Sequence, residues 1–546
     1  NIPVKFDVIG LCLLFMILGV LALDFIEALA PPGDADTLAY HFAIPKQFVN
    51  QGKIEFVGRA FDGAVPFMIQ LSYAALLELG GETAVTFWTM LSAWMSSFLL
   101  FSLLRMHLDR NWSMAVVLVY LTLPAVLYGS GSGQIEVRLS IFAMISAWAA
   151  FKTIDSEQLK YAALSGFGAG IYMGSKYYGL MFALVAGATI LLQKRWLVMG
   201  SVFSASCLLA GFQWYLWNGI HTGDPVFPLF YQLIGFDDLS WWNPTHDLTV
   251  KNMMNKVENA VPKNLSWFFA YPFRATFDPL PIFDAKRVGF GPIGVLLLPL
   301  AVSGAWLFRS KIRQSPLFAY SIITLFFYSL WFFLGPSQRL RHLLPLFPLF
   351  LICFSVSAHR FAKRKKLTIA LATAIFLTFG IQLAGDGVYS LKLLRYVTSG
   401  QSKDQFLKQY VKFYPVAQWV NLNLNNQHKV FTTERQLFYY FDIPYYFSSP
   451  HNQADVELNK KNTNARKLHG QLTKLKITHL ILTKSSDDPS INFTPPYSFL
   501  QDAGCLRRVV EFKLPSPKSR TLPSITDNNL RVEILELVGQ PCQSKL

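Results

Sequence analysis

The stretch VIGLCLLFMILGVLALDFIEALAPPGDADTLAYH, residues 8–41, places a long apolar run directly before two prolines and two aspartates. A helix that crosses a bilayer needs about 20 mostly apolar residues, so residues 8–29 are predicted to span a membrane. Pro31 and Pro32 end this helix, because proline cannot continue it. The acidic segment GDADTLAYH, Gly33 to His41, is therefore expected at the membrane surface.

The composition agrees with a membrane protein. Only 15% of the 546 residues are charged and 52% are hydrophobic, whereas soluble proteins carry about 25% charged residues. This excludes an ordinary soluble protein, a disordered chain and, with five cysteines, a small disulfide scaffold. The net charge of +16 is compatible with nucleic acid, an anionic membrane surface or an anionic substrate. Because basic loops fall on both sides of the predicted membrane, nucleic acid is not expected as a partner.

Hydropathy predicts a polytopic α-helical membrane protein with about eleven spans. The apolar segment 66–80 is too short to cross and is bounded by Pro66 and Gly80, so an interfacial helix is predicted there. Whether residues 160–193 form one span or two stays open. The predicted spans are 8–29, 83–104, 112–129, 139–154, 160–175, 177–193, 196–217, 291–308, 316–334, 343–358 and 367–384.

Basic loops set the predicted orientation, since cytoplasmic loops collect Lys and Arg. With the N-terminus in the cytoplasm, every predicted cytoplasmic loop is basic, and the loop 359–366 reads HRFAKRKK. Residues 1–384 then form a transmembrane domain with long outer loops at 30–82 and 219–290. Residues 385–546 alternate helical and strand-like patterns, which predicts an outer, periplasmic α/β domain.

The tail contains two cysteines, Cys505 and Cys542, which flank its last strands. In an oxidising periplasm they are expected to form a disulfide. Two free thiols are the alternative.

Acidic residues at the predicted outer face are the candidate catalytic groups. A carboxylate at Asp34 or Asp36 could accept a proton from a hydroxyl, which is the work of a general base. The alternative is that either aspartate only caps the following helix. Glu136 is a further candidate acid with Arg138 as its partner, against the alternative of an exposed loop ion pair.

Cationic residues at the same face are the candidate phosphate ligands. Lys176 contradicts the inward bias of the other basic residues, while Arg339, Arg341 and His342 share one short outer loop. One guanidinium group can bind two phosphate oxygens at once, so these residues favour a phosphate site. Snorkelling of the lysine and contact with lipid headgroups are the alternatives. His221 lies beside a stiff GDP turn, and its role is left open.

Four short motifs carry a family resemblance. DTLAYHFAIPK, residues 36–46, matches the pattern D-A-L-x-Y-H-x-x-x-P-K of bacterial PMT-like proteins. GSKY at 174–177, NGIHTGDPVFP at 218–228 and RHLLP at 341–345 are further similarities. Over about its first 390 residues the chain resembles the GT-C class of integral-membrane glycosyltransferases, which includes protein O-mannosyltransferases and lipid A aminoarabinose transferases.

This resemblance implies an inverting transfer of sugar from a polyprenyl-phosphate donor to a hydroxyl of a lipid, glycan or protein, at the periplasmic face of a bacterial inner membrane. Asp36 would be the base, Glu136 would stand where the family often has Asp, and no metal would be obligatory, although a divalent cation is left open. The residues expected around the donor phosphate and substrate are Tyr40, His41, Arg138, Lys176, Tyr177, His221, Arg339, Arg341 and His342.

Two other classes of function remain as alternatives. A transporter or flippase for a lipid-linked saccharide would place ionisable residues at mid-membrane depth. Asp24 and Glu27 lie near the outer end of the first predicted span and offer little support for it. The second alternative is a membrane scaffold whose tail binds a partner.

Overall fold

The computed structural model describes residues 7–259, 261–277, 292–449, 451–459, 461–484, 497–514 and 530–539. The chain divides into two compact units, each built from several segments. The membrane unit comprises Asn1–Ala30, Pro66–Leu216 and Met253–Gly400, and the second unit comprises Pro31–Val65, Trp217–Asn252 and Gln401–Leu546.

Helices dominate the described residues. A π-helix covers Thr37–His41, and 3-10 helices cover Leu340–Leu346 and Arg435–Tyr440. The α-helices in chain order are α1 (Val8–Leu29), α2 (Ala43–Gln51), α3 (Met68–Leu104), α4 (Arg110–Thr122), α5 (Pro124–Ser130), α6 (Glu136–Ser156), α7 (Leu159–Ser175), α8 (Tyr178–Ile190), α9 (Trp196–Gly211), α10 (Gln213–Thr222), α11 (Tyr231–Ile234), α12 (Pro244–Glu258), α13 (Leu265–Phe277), α14 (Pro292–Leu307), α15 (Arg309–Arg313), α16 (Pro316–Leu334), α17 (Phe347–Arg364), α18 (Thr368–Thr398), α19 (Lys403–Tyr410), α20 (Tyr414–Asn423), α21 (Ala465–Lys474) and α22 (Tyr497–Asp502).

The chain is a multi-pass helical membrane protein, but eleven spans are not confirmed. Among the described residues, six helices are long and apolar enough to cross, or seven if α9 and α10, bent by 61°, form one broken span. Several predicted spans are shorter or interrupted, because Leu123 separates α4 from α5, which begins at Pro124, and residues 160–193 form two helices, α7 and α8. Proline cannot continue a hydrogen-bonded helix, which explains the first break.

Helix α3 extends through the segment predicted to be interfacial. It runs from Met68 to Leu104, but Gly81 has φ +67° and interrupts the helical geometry. Glycine tolerates this left-handed conformation because it has no Cβ. The sequence therefore located the break near residue 80 correctly, and the placement of 68–80 on the membrane surface stays a prediction.

Small residues bring α7 and α9 into backbone contact. A Cβ at Gly166 would lie 2.2 Å from the carbonyl oxygen of Phe203, and one at Gly170 would lie 2.3 Å from that of Cys207. Close crossing at small residues is typical of helices in membranes. Cys207 is buried at this crossing.

The second unit contains a five-stranded mixed sheet in the order β2-β1-β3-β5-β4. Strand β1 pairs parallel with β2 and β3, and β5 pairs antiparallel with β3 and β4. Leu468 and Leu472 of α21 and Leu500 of α22 pack against Phe431 and Leu480 of the sheet. Strands β1 and β2 contain only three residues each. The strands are β1 (Val430–Thr432), β2 (Tyr445–Phe447), β3 (His479–Lys484), β4 (Leu506–Leu514) and β5 (Leu530–Leu537).

The boundaries of the two units differ from a single cut after residue 384. Helix α18 continues to Thr398, and segments 31–65 and 217–252 join the tail in the second unit. Cys505 is buried directly after α22. Its predicted partner Cys542 lies outside the described residues, so the disulfide stays a prediction.

Candidate functional site

Asp34 caps the π-helix that carries the acidic motif. Its Oδ1 accepts a hydrogen bond from the backbone N–H of Thr37 at 3.2 Å, and its carbonyl oxygen accepts one from Leu38 at 3.1 Å. Asp34 therefore caps this helix, which was the predicted alternative to a catalytic role. A π-helical turn is rare and occurs frequently at functional sites.

Asp36 lies one residue before that turn and is paired with an arginine of the tail. Arg435 Nη2 donates to Asp36 Oδ1 at 2.7 Å. Asp36 is only 6% exposed, so its carboxylate is held in a defined position by a charge-assisted hydrogen bond.

A second acid and a second arginine belong to the same cluster. Arg59 Nε lies 3.3 Å from Asp62 Oδ1, and both side chains are buried. Burial raises the pKa of Asp62, the charges of Arg59 and Arg435 counteract this, and the negative charge of Asp36 adds to it. Two carboxylates and two guanidinium groups thus share one region of the second unit, which we name the acid cluster: Asp36, Asp62, Arg59 and Arg435.

The other end of the motif is fixed by the same tail segment. Lys46 Nζ donates to the carbonyl oxygens of Tyr439 at 2.9 Å and Phe441 at 3.1 Å and to Asp442 Oδ1 at 2.8 Å. The Tyr440 hydroxyl donates to the Pro32 carbonyl oxygen at 2.7 Å. We name this arrangement, residues 32–46 against 435–442, the clasp.

The histidines predicted near the substrate have aromatic neighbours. His41 is buried, and its ring lies 4.0 Å from that of Tyr40. His221 stacks on Phe56 at 4.4 Å and meets Trp217 edge to face at 4.7 Å.

Two predicted clusters of the membrane unit form an ion pair. Glu136 begins α6, Lys176 separates α7 from α8, and the Lys176 ammonium contacts Glu136 Oε1. Arg138, the predicted partner of Glu136, is 2% exposed and donates to the carbonyl oxygens of Gln134 and, at 3.1 Å, Ser130. Since both Glu136 and Arg138 are buried, the alternative of an exposed loop ion pair is wrong.

Arg339 is held by Glu258 in a bidentate ion pair. Its Nε lies 2.8 and 3.0 Å from the two carboxylate oxygens, and its Nη2 lies 2.9 Å from Oε1. Ser337 Oγ also donates to this carboxylate at 2.6 Å. Burial acts to raise the pKa of Glu258, but the hydrogen bonds from Arg339 and Ser337, with the charge of Arg341, lower it below its ordinary value.

Tyr178 connects the segment that carries Lys176 to the segment that carries Arg339. Its hydroxyl donates to the Ser337 carbonyl oxygen at 2.9 Å, and its ring stacks with His342 at 4.5 Å. Tyr177, one residue earlier, has its ring 6.0 Å from that of Tyr215. We name four residues of the membrane unit the cationic cluster: Lys176, Arg339, Arg341 and His342.

Three acids buried among the spans were not singled out as a group from the sequence. Asp24, Glu27 and Asp386 are each at most 2% exposed. Trp94 Nε1 donates to Asp24 Oδ2 at 3.2 Å, and the Tyr389 hydroxyl donates to Glu27 Oε1 at 2.9 Å. Among the residues that the structure describes, no group of three or more His, Cys, Asp or Glu has an arrangement that could hold a metal ion.

Sequence reasoning found Asp36, Lys176 and Arg339 but missed the partners that hold Asp36 and Arg339. Arg435 lies 399 residues from Asp36, and Glu258 lies 81 residues from Arg339. Neither partner stands in a recognisable motif, so only the tertiary structure identifies them. Charge complementarity between Arg339 and Glu258 was an available signal.

Comparison with known proteins identifies the class. Residues 64–217 match the family model described as dolichyl-phosphate-mannose-protein mannosyltransferase. The fold is similar to the crystal structure of ArnT from Cupriavidus metallidurans bound to undecaprenyl phosphate, with a TM-score of 0.57 and 13% identity over 95% of this chain and 97% of that chain. The oligosaccharyltransferase AglB from Archaeoglobus fulgidus matches with a TM-score of 0.46 and 13% identity over 86% of this chain and 69% of that chain. No curated protein sequence matches this chain.

The family match over residues 64–217 and the fold shared with ArnT support the resemblance to the GT-C superfamily of membrane glycosyltransferases. The likeness to ArnT establishes the fold, and the family match adds glycosyl transfer as the general class of activity that is supported.

Proposed function

We propose that the protein transfers a sugar from a polyprenyl-phosphate-sugar donor to a hydroxyl acceptor, with inversion at the anomeric carbon. The observation that carries this proposal is the buried Asp36 carboxylate held at 2.7 Å by Arg435, at the start of the motif that resembles the family. A base needs a fixed position within reach of the proton that it accepts, and an ion pair to a guanidinium supplies such a position.

In this proposal Asp36 accepts the proton of the acceptor hydroxyl. The hydroxyl oxygen forms the new bond to the anomeric carbon, the bond from that carbon to the phosphate oxygen breaks, and the phosphate leaves with the electron pair. The acceptor itself is a lipid, a glycan or a protein.

The cationic cluster is proposed to bind the donor phosphate. The ArnT structure contains undecaprenyl phosphate, and the shared fold supports the same class of lipid phosphate as the donor carrier here. Arg339 offers a planar guanidinium and Lys176 a compact ammonium, and both suit phosphate oxygens. Because Glu136 and Glu258 already hold these side chains, donor binding costs little additional side-chain ordering. No metal is obligatory for this step in our proposal.

The family resemblance and the basic loops support a bacterial inner membrane with the N-terminus in the cytoplasm. In that orientation the acid cluster and the tail face the periplasm.

A sugar-transfer assay in detergent separates this proposal from the flippase alternative. Purified protein in detergent is mixed with a polyprenyl-phosphate carrying a radiolabelled sugar and with a cell-envelope extract as acceptor. The proposal predicts label in the acceptor fraction and release of polyprenyl phosphate. A flippase has no chemistry to perform in detergent, so unchanged donor alone would contradict transfer.

A further inference from the structure

A groove of about 590 Å³ lies in the second unit, beside the clasp. One wall is the exposed side of α2, and the other is formed by residues 438–445 that follow Arg435. A cavity of this size is typical of small-molecule sites. The transfer chemistry proposed above assigns no role to it.

Four carboxamides line this groove: Gln47, Asn50, Gln51 and Asn426. Within the described parts of the chain, none of these four side chains has a hydrogen-bond partner, and Asn50, Gln51 and Asn426 are exposed. An amide offers two N–H donors and a carbonyl acceptor. The groove therefore presents both donors and acceptors to a ligand.

The charged residues of the groove are already engaged. All three ammonium hydrogens of Lys46 have acceptors, namely two backbone carbonyl oxygens and Asp442. Asp442 also accepts a hydrogen bond from Asn421 Nδ2 at 2.9 Å. An anionic or cationic ligand would have to break this network, so the lining favours a neutral ligand.

Apolar groups complete the wall. Phe438 and Tyr445 stack at 4.3 Å, and Phe441 lies beside Tyr445 at 5.9 Å. A pyranose ring has hydroxyl groups along its rim and C–H groups on its faces. Amides along an aromatic-backed wall match both parts of such a ring.

We infer that this groove binds a neutral saccharide unit. The groove lies on α2, the helix that follows the acidic motif. This position points to a sugar of the acceptor that is remote from the reacting hydroxyl. Asp36 and Gln47 are eleven positions apart, or about 16 Å at the rise of a helix. Assignment to the acceptor rests on the proposed function, whereas binding of a neutral saccharide does not.

Glycan-array binding by the intact, fluorescently labelled protein in detergent tests this inference. The probes are printed neutral oligosaccharides of glucose, mannose and N-acetylglucosamine, with sialylated and phosphorylated glycans and short peptides on the same surface. The variant Gln47→Ala/Asn50→Ala removes two of the four amides. The matched control is Gln427→Ala, an exposed amide adjacent to Asn426 that does not line the groove.

The expected result is retention of neutral oligosaccharides by the wild type and by Gln427→Ala. Binding by the double variant should be weaker by about fivefold or more, because at least two hydrogen bonds to the saccharide are lost. Equal binding by the double variant, binding confined to charged glycans or to peptides, or no bound glycan would overturn the inference.

Asp36→Asn separates this inference from the proposed function. It should bind the same glycans while losing transfer. If Asp36→Asn keeps full transfer while the double variant loses glycan binding, the proposed base fails and the groove stands.

Discussion

The guanidinium of Arg435 donates to the carboxylate of Asp36 at 2.7 Å, although 399 residues separate the two along the chain. The tail thus contacts the very residue that the motif singles out. Loss of the tail would remove Arg435 and also Asp442, which pairs with Lys46 at 2.8 Å. Truncation of the tail therefore cannot separate a scaffold from an enzyme, and point substitutions are required.

Arg435 is a positioning residue in this account, and its two conservative replacements should differ. Arg435→Gln is expected to lower kcat for sugar transfer by about tenfold to a hundredfold, as expected when a catalytic group is misplaced by about 1 Å. The KM for the donor should stay within about twofold, because Arg435 is proposed to position Asp36 and not to bind the donor phosphate. Arg435→Lys should restore part of kcat, because it keeps the charge.

Steady-state transfer assays with labelled donor measure this split. A parallel loss of kcat in Arg435→Lys and Arg435→Gln, accompanied by a lower unfolding temperature in both, would indicate a merely structural arginine.

The Lys46–Asp442 pair should behave as a structural clasp. Lys46→Ala is expected to destabilise the protein by about 1–3 kcal/mol, because three hydrogen bonds are lost and two backbone carbonyls lose a partner. Asp442→Asn should cost at most about 1 kcal/mol, since Asp442 is exposed and can still accept a hydrogen bond. Thermal unfolding in detergent compares the variants, and a larger loss for Asp442→Asn than for Lys46→Ala would refute this arrangement.

Burial of Asp62 predicts a pH dependence of stability. Its pKa in the folded protein lies above the ordinary value of 3.8, so the folded state retains a proton that the unfolded chain releases. The contribution of Asp62 is full below pH 3.8 and is lost as the pH rises through the raised pKa. Asp62→Asn cannot titrate, so its unfolding temperature should fall less than that of the wild type as the pH rises above 4.

Unfolding temperatures at stepwise pH in detergent provide the measurement. The exposed Asp502, changed to Asn, is the matched control and should keep the wild-type slope. Equal slopes for Asp62→Asn and the wild type would show that Asp62 does not titrate differently in the folded state.

The bidentate geometry of Arg339 predicts that lysine cannot replace it. Arg339→Lys should lower kcat/KM for the donor by about tenfold or more, because an ammonium cannot form the paired N–H contacts of a guanidinium. The exposed Arg309, changed to Lys, is the control and should leave kcat/KM unchanged. Donor titrations in the same transfer assay decide this, and wild-type efficiency in Arg339→Lys would exclude Arg339 from the phosphate site.

The contribution of the Arg339–Glu258 pair to stability should also depend on pH in the acidic range. Since the pKa of Glu258 is lowered, its contribution to stability is present above the ordinary value of 4.5 and is lost as the pH falls through the lowered pKa. Glu258→Gln should therefore lose stability at neutral pH and show a shallower loss than the wild type between pH 5 and pH 3. An unchanged acid profile would contradict a net stabilising pair.

Local signals in the sequence were sufficient for the helices and for single functional residues. Apolar runs located α1, α16 and most other helices, and the D-x-L-x-Y-H pattern located Asp36. Eleven spans are not confirmed, and hydropathy does not register the breaks at Leu123 and at Phe212 that shorten individual helices. Membership of 31–65 in the same unit as the tail depends on long-range pairs such as Arg435–Asp36, which have no local signature.

The same distinction separates Asp34 from Asp36. Both precede an amphipathic helix, and capping or catalysis was open for each. The backbone N–H of Thr37 selects Asp34 as the cap, and the tail arginine selects Asp36. The residue that Asp34 caps lies three positions away, whereas the arginine that pairs with Asp36 lies 399 positions away.

The central claim is that Asp36 is the base of a sugar transfer, and one comparison tests it most directly. Single-turnover transfer of labelled sugar is measured for the wild type, Asp36→Asn and the exposed control Asp502→Asn, each purified in detergent with the unfolding temperature recorded. We expect transfer by the wild type and Asp502→Asn, and a rate at least about a hundredfold lower in a folded Asp36→Asn protein. Wild-type transfer by Asp36→Asn would contradict it.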